Sequence, residues 1–166
     1  MVVRPLLPSD SQSYVGLRRE MLRDSPWAFA ASETDDVGLD AASVAAQLGR
    51  NGYAIIGAFD EQPLLIGAAG LIRPRHEKVG HRAYIWGVYV TPSCRGRGIG
   101  RRIMEQAIAT AKSWPGVIGA GLSVSARSPE ARGLYERLGF RAWGIEPGAL
   151  RLDGVAYDEV HMVADF

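Results

Sequence analysis

The sequence predicts an α/β fold of the α+β kind: a mixed, mostly antiparallel sheet with helices on both faces. Three observations carry this. Element signals follow one another as β, α, α, β, β, β, α, β, α, β, β. Runs of adjacent strands, which pair antiparallel, therefore surround two crossover helices, which force a parallel step. Leu64 to Ile72 is a near-continuous apolar run, the pattern of a strand covered on both faces. Finally, 166 residues with 47% apolar content suffice for one domain with its own core. No repeat, linker or low-complexity tract interrupts them.

Val2 to Leu6 reads as a short first strand. Ser9 and Gln12 stand in a capping-box relation. The helix behind them puts Tyr14, Leu17, Met21 and Leu22 on one side and Arg18, Arg19 and Glu20 mostly elsewhere, until Pro26 ends it. Ser25 to Asp40 is a long connection with Trp27, Phe29, Glu33, Asp35 and Asp36, and such a loop either packs on the core or lines a site. A second helix spans Asp40 to Leu48 and stops at Gly49. Gly52 to Phe59 and Leu64 to Ile72 are strands joined by the turn Asp60-Glu61-Gln62-Pro63. Gly67 and Gly70 in the second of these mark close packing.

After a polar loop from Pro74, a strand runs from Ala83 to Val90, rich in β-branched and aromatic residues. Pro92 ends it. Gly96, Gly98 and Gly100 then alternate, and Ile99, Ile103, Met104, Ala107, Ile108 and Ala111 follow at helical spacing up to Trp114-Pro115-Gly116. Val117 to Val124 is a strand that Gly119 and Gly121 weaken, which suits close approach of a ligand or another backbone. Ser128, Pro129 and Glu130 open a helix as N-cap, first position and first-turn acid. It carries Ala131, Leu134, Tyr135 and Leu138 on one face and ends at Gly139. Strands Phe140–Ile145 and Val155–Val163 close the chain around the hairpin signal Asp153-Gly154.

The strand–glycine loop–helix unit carries the chemistry. A helix N-terminus offers unpaired N–H donors and a partial positive charge, and glycines let an anion approach the backbone. Arg95, Arg97, Arg101 and Arg102 oppose the helix dipole, so helix stability does not explain them; a bound polyphosphate would, the alternative being a basic surface turn whose glycines serve only sharp bends. No Gly-Lys-Ser/Thr follows, which disfavours a nucleotide-phosphate site of the Walker type, and Gly96-Arg97-Gly98 lacks the third glycine of a dinucleotide fingerprint.

Net charge is +1, so the basic loop is local and no nucleic-acid partner is expected. A lone cysteine, Cys94, excludes a disulfide framework and a cysteine metal cluster. Met1-Val2-Val3-Arg4-Pro5 does not read as a signal peptide and no apolar run reaches membrane length, so a cytoplasmic location without membrane contact is expected. His76, His81 and His161 have no metal-ligand spacing, and no metal is expected. Without a Gly-x-Ser-x-Gly elbow, a serine hydrolase is disfavoured.

Arg95-Gly96-Arg97-Gly98-Ile99-Gly100 resembles the Arg/Gln-x-x-Gly-x-Gly/Ala signature of the GNAT superfamily of acyl-CoA-dependent N-acetyltransferases. Ser128-Pro129-Glu130-Ala131-Arg132-Gly133-Leu134-Tyr135-Glu136-Arg137-Leu138-Gly139-Phe140 is similar to that superfamily's second motif, commonly Asn-x-x-Ala-x-x-Leu-Tyr-x-x-x-Gly-Phe. The resemblance implies one N-acetyltransferase domain over residues 1–166, with acetyl-CoA as cosubstrate and an amine of a small molecule or peptide as acceptor, acetylated directly in a ternary complex. It implies that the strands ending near Val90 and Val124 splay apart. Pantetheine would pair with backbone at Val88, Tyr89 and Val90, and the pyrophosphate would rest on Arg95, Gly96, Arg97, Gly98, Ile99, Gly100 and Arg101. Ser128 stands where asparagine is usual and is a candidate contact to CoA. Dimerisation is common in the superfamily, which leaves a homodimer open.

The motif makes Tyr135 the candidate acid for the departing thiolate, whose pKa is about 8.5 by analogy with cysteine, and places it at the CoA sulfur. Backbone N–H groups near Tyr89 and Val90 are candidates for the oxyanion. Many members carry a glutamate at the position of Tyr84, but no acid lies between Ala83 and Val90. Glu33 and Glu159 are therefore candidate bases beside a water chain. The missing strand acid also keeps open a non-catalytic acyl-CoA-binding or regulatory module. Asp35, Asp36, Asp158 and Glu159 would make the acceptor pocket acidic.

Overall fold

Every strand and helix expected from the sequence forms, in the expected order, in the computed structural model, which describes residues 1–166. The strands are β1 (Val2–Pro5), β2 (Tyr53–Phe59), β3 (Leu65–Ile72), β4 (Arg82–Val90), β5 (Gly119–Ser125), β6 (Arg141–Leu152) and β7 (Val155–Asp165). The helices are α1 (Ser11–Asp24), α2 (Ala41–Gln47), α3 (Ile99–Ser113) and α4 (Pro129–Arg137). One seven-stranded sheet has the order β1-β2-β3-β4-β5-β7-β6. Only β4 and β5 pair in parallel; the other neighbours are antiparallel.

Strand alternation sends successive residues to opposite cores. Ile56 and Ala69 join Ile99, Ile103, Met104 and Tyr135 under α3 and α4. Ile55 and Ala68 join Tyr14, Leu17, Met21 and Val44 under α1 and α2. As expected, β3 is buried along nearly its whole length. A Cβ on Gly67 would meet the Tyr89 carbonyl oxygen at 2.8 Å, and one on Gly70 would overlap the Trp86 indole, so both glycines serve close packing.

Local chemistry differs from expectation in three places. The Ser9–Gln12 capping box does not form. Pro8–Asp10 makes a 3-10 turn instead, and the Asp10 carboxylate accepts the Leu7 N–H at 2.7 Å while pairing with Arg4. Asp10 wins because Arg4, across from it on β1, fixes its charge. Ser128 precedes α4 but makes no capping hydrogen bond with its side chain. Strand β6 runs on to Leu152 through an irregularity between Glu146 and Leu150, where Gly148 has φ +61° and donates its N–H to Asp158. The Asp153-Gly154 turn has both residues at positive φ, as that hairpin signal requires. No helix is long and apolar enough to cross a membrane.

Candidate active site

β4 and β5 pair only from Arg82–Gly119 to Tyr84–Gly121 and then separate. The cause is visible in β4. Between Trp86, opposite Gly70, and Tyr89, opposite Ala68, it carries two residues against one on β3. This is a bulge, and Gly87 within it has φ +61°, a conformation that favours glycine. The extra residue bends β4 away from β5 and opens a cleft of about 350 Å³. Ile85, Trp86, Gly87 and Val88 form one wall and Leu122 to Ser125 the other. Tyr84 donates to or accepts from Ser123 Oγ at 2.9 Å, just past the last paired residues.

At the end of β4 the chain turns through Pro92–Cys94 into the glycine loop. Gly96 and Gly98 have φ of +76° and +74°, and a Cβ at either would meet no protein atom within 4 Å. The backbone N–H groups from Gly96 to Arg101 find no acceptor in the protein; the first to do so is Arg102, which donates to Gly98. They form an open, anion-ready cradle at the N-terminus of α3. Gly100 serves packing, with its Cβ position 3.5 Å from Leu134 of α4.

The arginines divide. Arg95 pairs with Asp24 of α1, donates to the Val90 carbonyl at 2.9 Å and lies over the Tyr89 ring. Arg101 pairs with Glu105 one turn along α3. Arg97 and Arg102 are exposed and have no ion-pair partner. Hence the charge nearest the strand is committed to α1, while Arg97 and Arg102 have no carboxylate beside them.

Tyr135 sits in the cleft wall with Ser128 and Ala131. Its ring is buried against Phe140 at 6.2 Å, edge to face. Its hydroxyl makes no hydrogen bond within the protein, yet no buried side-chain oxygen or nitrogen is without a partner. The hydroxyl therefore reaches the cleft. Burial pushes its pKa up, so it stays protonated. Ser128, not used as a cap, presents its side chain to the same space. Val88 packs against the α3–α4 core, and Tyr89 points the other way, donating to Glu20 Oε1 at 3.1 Å. Thr91 N–H donates to Ile66 of β3. By strand alternation the Tyr89 N–H also faces β3, so of the two expected oxyanion donors only that of Val90 is turned away from β3.

The two candidate bases fare differently. Glu33 does not line the cleft. It bonds Arg23 at 2.7 Å, and that guanidinium holds its carboxyl below the usual carboxylate range. Glu159 lines the cleft from β7, opposite Ser125. Its carboxylate gathers with Glu146 and His161 so that ligand-type atoms of all three lie within 4.8 Å of one another. His161 Nε2 is 2.9 Å from Glu146, and Trp143 lies against its ring. The spacing of these residues in sequence hid this cluster, because the β6–β7 ladder brings it together. The expected acidic pocket reduces to Glu159. Asp36 is paired with Arg18, Asp35 binds the Ser32 N–H and Asp158 binds Gly148.

Three contributors were not singled out in the sequence. Arg18 was grouped with the polar side of its helix, although it follows Tyr14 by four residues and precedes Met21 by three, which puts it on the apolar stripe. Trp86 also walls the cleft, together with Phe29 of the 25–40 connection, which was expected to pack on the core or line a site. Gly87 carried a signal, a glycine inside a strand pattern, which marks a bulge.

Cleft and cradle together define an acyltransferase domain. The acetyltransferase (GNAT) family model matches residues 15–140, and the chain belongs to that family. A GNAT-family acetyltransferase from Streptococcus pneumoniae superposes with a TM-score of 0.87 at 19% identity, covering 99% of each chain. Salmonella typhimurium yncA, solved with its cofactor acetyl-CoA, does so with a TM-score of 0.83 at 21% identity over 99% of this chain and 93% of its own. Bacillus subtilis YwnH, whose name assigns it phosphinothricin acetylation, is 28% identical over 86 residues, 52% of this chain. The chain spans about half the length of that relative.

Proposed function

We propose that this chain moves the acetyl group of acetyl-CoA directly to a primary amine of a small molecule or peptide within a ternary complex. The observation that carries the reading is the bulge-opened cleft between β4 and β5, continuous in sequence with a glycine cradle whose N–H groups are unclaimed. A pyrophosphate on Gly96–Arg101 with Arg97 and Arg102 would direct the pantetheine along Val88–Val90, whose edge β5 has vacated. The thioester then lies near the bulge. There a backbone N–H on the vacated edge of β4 faces the carbonyl oxygen, which becomes negative when the amine nitrogen bonds to the acyl carbon. The C–S bond breaks, and the Tyr135 hydroxyl gives its proton to the departing thiolate. Glu159, the carboxylate that lines the cleft, takes the proton lost by the amine, directly or through water.

The absence of an acid on β4 supports a second reading, a module that binds acyl-CoA without transferring it. Two measurements separate them. Acetyl-CoA at about 100 times its dissociation constant should stabilise the fold by about 2.7 kcal/mol, seen as a raised Tm. Amine-dependent release of the CoA thiol should follow only if the chain is a transferase.

A further inference from the structure

Arg18 has a role that the acetyl-transfer reading does not use. It and Glu159 are the charged side chains that line the cleft. Only 6% of Arg18 is exposed, although it lies on a helix at the edge of an open cleft. Its Nε donates to Asp36, which is held in turn by the Gly38 N–H at 2.7 Å. Its Nη1 touches only the Met21 sulfur, at 2.9 Å, a weak acceptor. Its Nη2 donates to nothing in the protein, and it is not sealed, since no buried side-chain nitrogen lacks a partner.

Burying a guanidinium is costly unless its donors are used. A pair evolved only to pin the 25–40 loop to α1 would spend the planar fork on Asp36. Here Asp36 takes one donor, and the two Nη groups, whose spacing matches the two oxygens of a carboxylate, have no oxygen acceptor in the protein. The guanidinium carbon lies over the Phe29 ring, 5.4 Å from its centroid. The position of these groups matters as much as their chemistry. Nη1 lies 3.6 Å from where a Cβ on Gly87 would be, so the guanidinium abuts the bulge, beside the point of transfer.

We propose that Arg18 binds the carboxylate of the acceptor, and that the acceptor is a free α-amino acid whose amine and carboxylate are separated by one carbon. The short reach from Arg18 to the bulge sets that separation. A peptide N-terminus has an amide there and gives the fork only one oxygen. A polyamine brings a second cation against the guanidinium, and an arylalkylamine leaves the donors unpaired.

The inference rests on the acetyl-transfer reading, and its test separates the two. Each of the common amino acids is compared with its α-carboxamide and its decarboxylated amine in acetyl-CoA-dependent acetylation, with rates expressed per free-base amine. At least one acid should exceed both counterparts by about tenfold to a hundredfold in kcat/KM, the worth of charge-assisted hydrogen bonds. Arg18→Lys keeps a cation beside Asp36 but loses the fork. It should raise KM for the acid and lower the acid-to-amide ratio at least tenfold, about 1.4 kcal/mol, while acetyl-CoA still raises Tm. A preference for the amides or the decarboxylated amines, or an acid-to-amide ratio unchanged in folded Arg18→Lys, overturns the proposal and leaves acetyl transfer standing. If Arg18→Lys does not fold, the wild-type comparison alone decides. Failure of acetyl-CoA to bind overturns the reading beneath it.

Discussion

Tyr135→Phe removes one oxygen from a cleft wall and nothing else. The ring stays packed on Phe140 and within the α3–α4 core. The hydroxyl has no hydrogen-bond partner in the protein, so the usual loss of about 1 kcal/mol for a severed internal hydrogen bond does not arise. Stability should change by less than about 0.5 kcal/mol. Turnover should change far more. If the hydroxyl delivers the proton to the leaving thiolate, kcat should fall by about 10²–10⁴, or roughly 2.7–5.5 kcal/mol of barrier. KM for acetyl-CoA should hold, because the lost interaction belongs to the transition state. The assay is single-turnover acetyl transfer with the best acceptor, so that product release does not mask the chemical step. A rate within about threefold of wild type would return Tyr135 to core packing and leave the thiolate to solvent.

Gly98→Val should weaken CoA binding at least tenfold by calorimetry, because its branched Cβ projects into the open cradle; forcing a side chain to φ +74° should also cost about 1–2 kcal/mol or more of stability. Glu159→Gln should lower kcat by about 10²–10⁴ while the acetyl-CoA-induced rise in Tm persists; normal turnover would assign the proton to a water chain. Burial holds the hydroxyls of Tyr14 and Tyr135 above their ordinary pKa. In the unfolded chain they titrate near about pH 10, so the unfolded state loses protons first and stability should fall as pH rises beyond that point. Urea unfolding midpoints that stay flat through that range would contradict the desolvation of these side chains.

Much of the architecture was legible because each element carries its own punctuation. Pro26, Gly49, Pro92 and Gly139 stop elements where the chain stops them. The periodicity of α3 and α4 named their buried faces, and the apolar run of β3 announced burial on both sides. The glycine loop was legible too, since Gly96 and Gly98 take the positive φ that glycine permits just before α3. What escaped depends on contacts distant in sequence. Asp10 displaced the Ser9–Gln12 cap because Arg4 on β1 lies across from it. Arg95, expected at a phosphate, is paired with Asp24 of α1, a partner that the local sequence does not announce. Glu33 looked free until Arg23 and Arg19 appeared beside it, and Arg18 looked solvated until Asp36 closed over it. Gathering Glu146, Glu159 and His161 needed the β6–β7 register, which no local pattern states.

Acetyl-CoA held in the open β4–β5 cleft and the Gly96–Arg101 cradle, for attack by an amine, is the proposal on which the others depend. The most direct measurement follows free CoA thiol and acetylated product together, with wild-type protein, acetyl-CoA and a panel of amines that includes the free amino acids. Thiol release should depend on the amine, saturate with it and match the acetylated product one for one. Acetyl-CoA that raises Tm while no amine in the panel releases thiol above the rate without protein would contradict the proposal and leave a cofactor-binding module in its place.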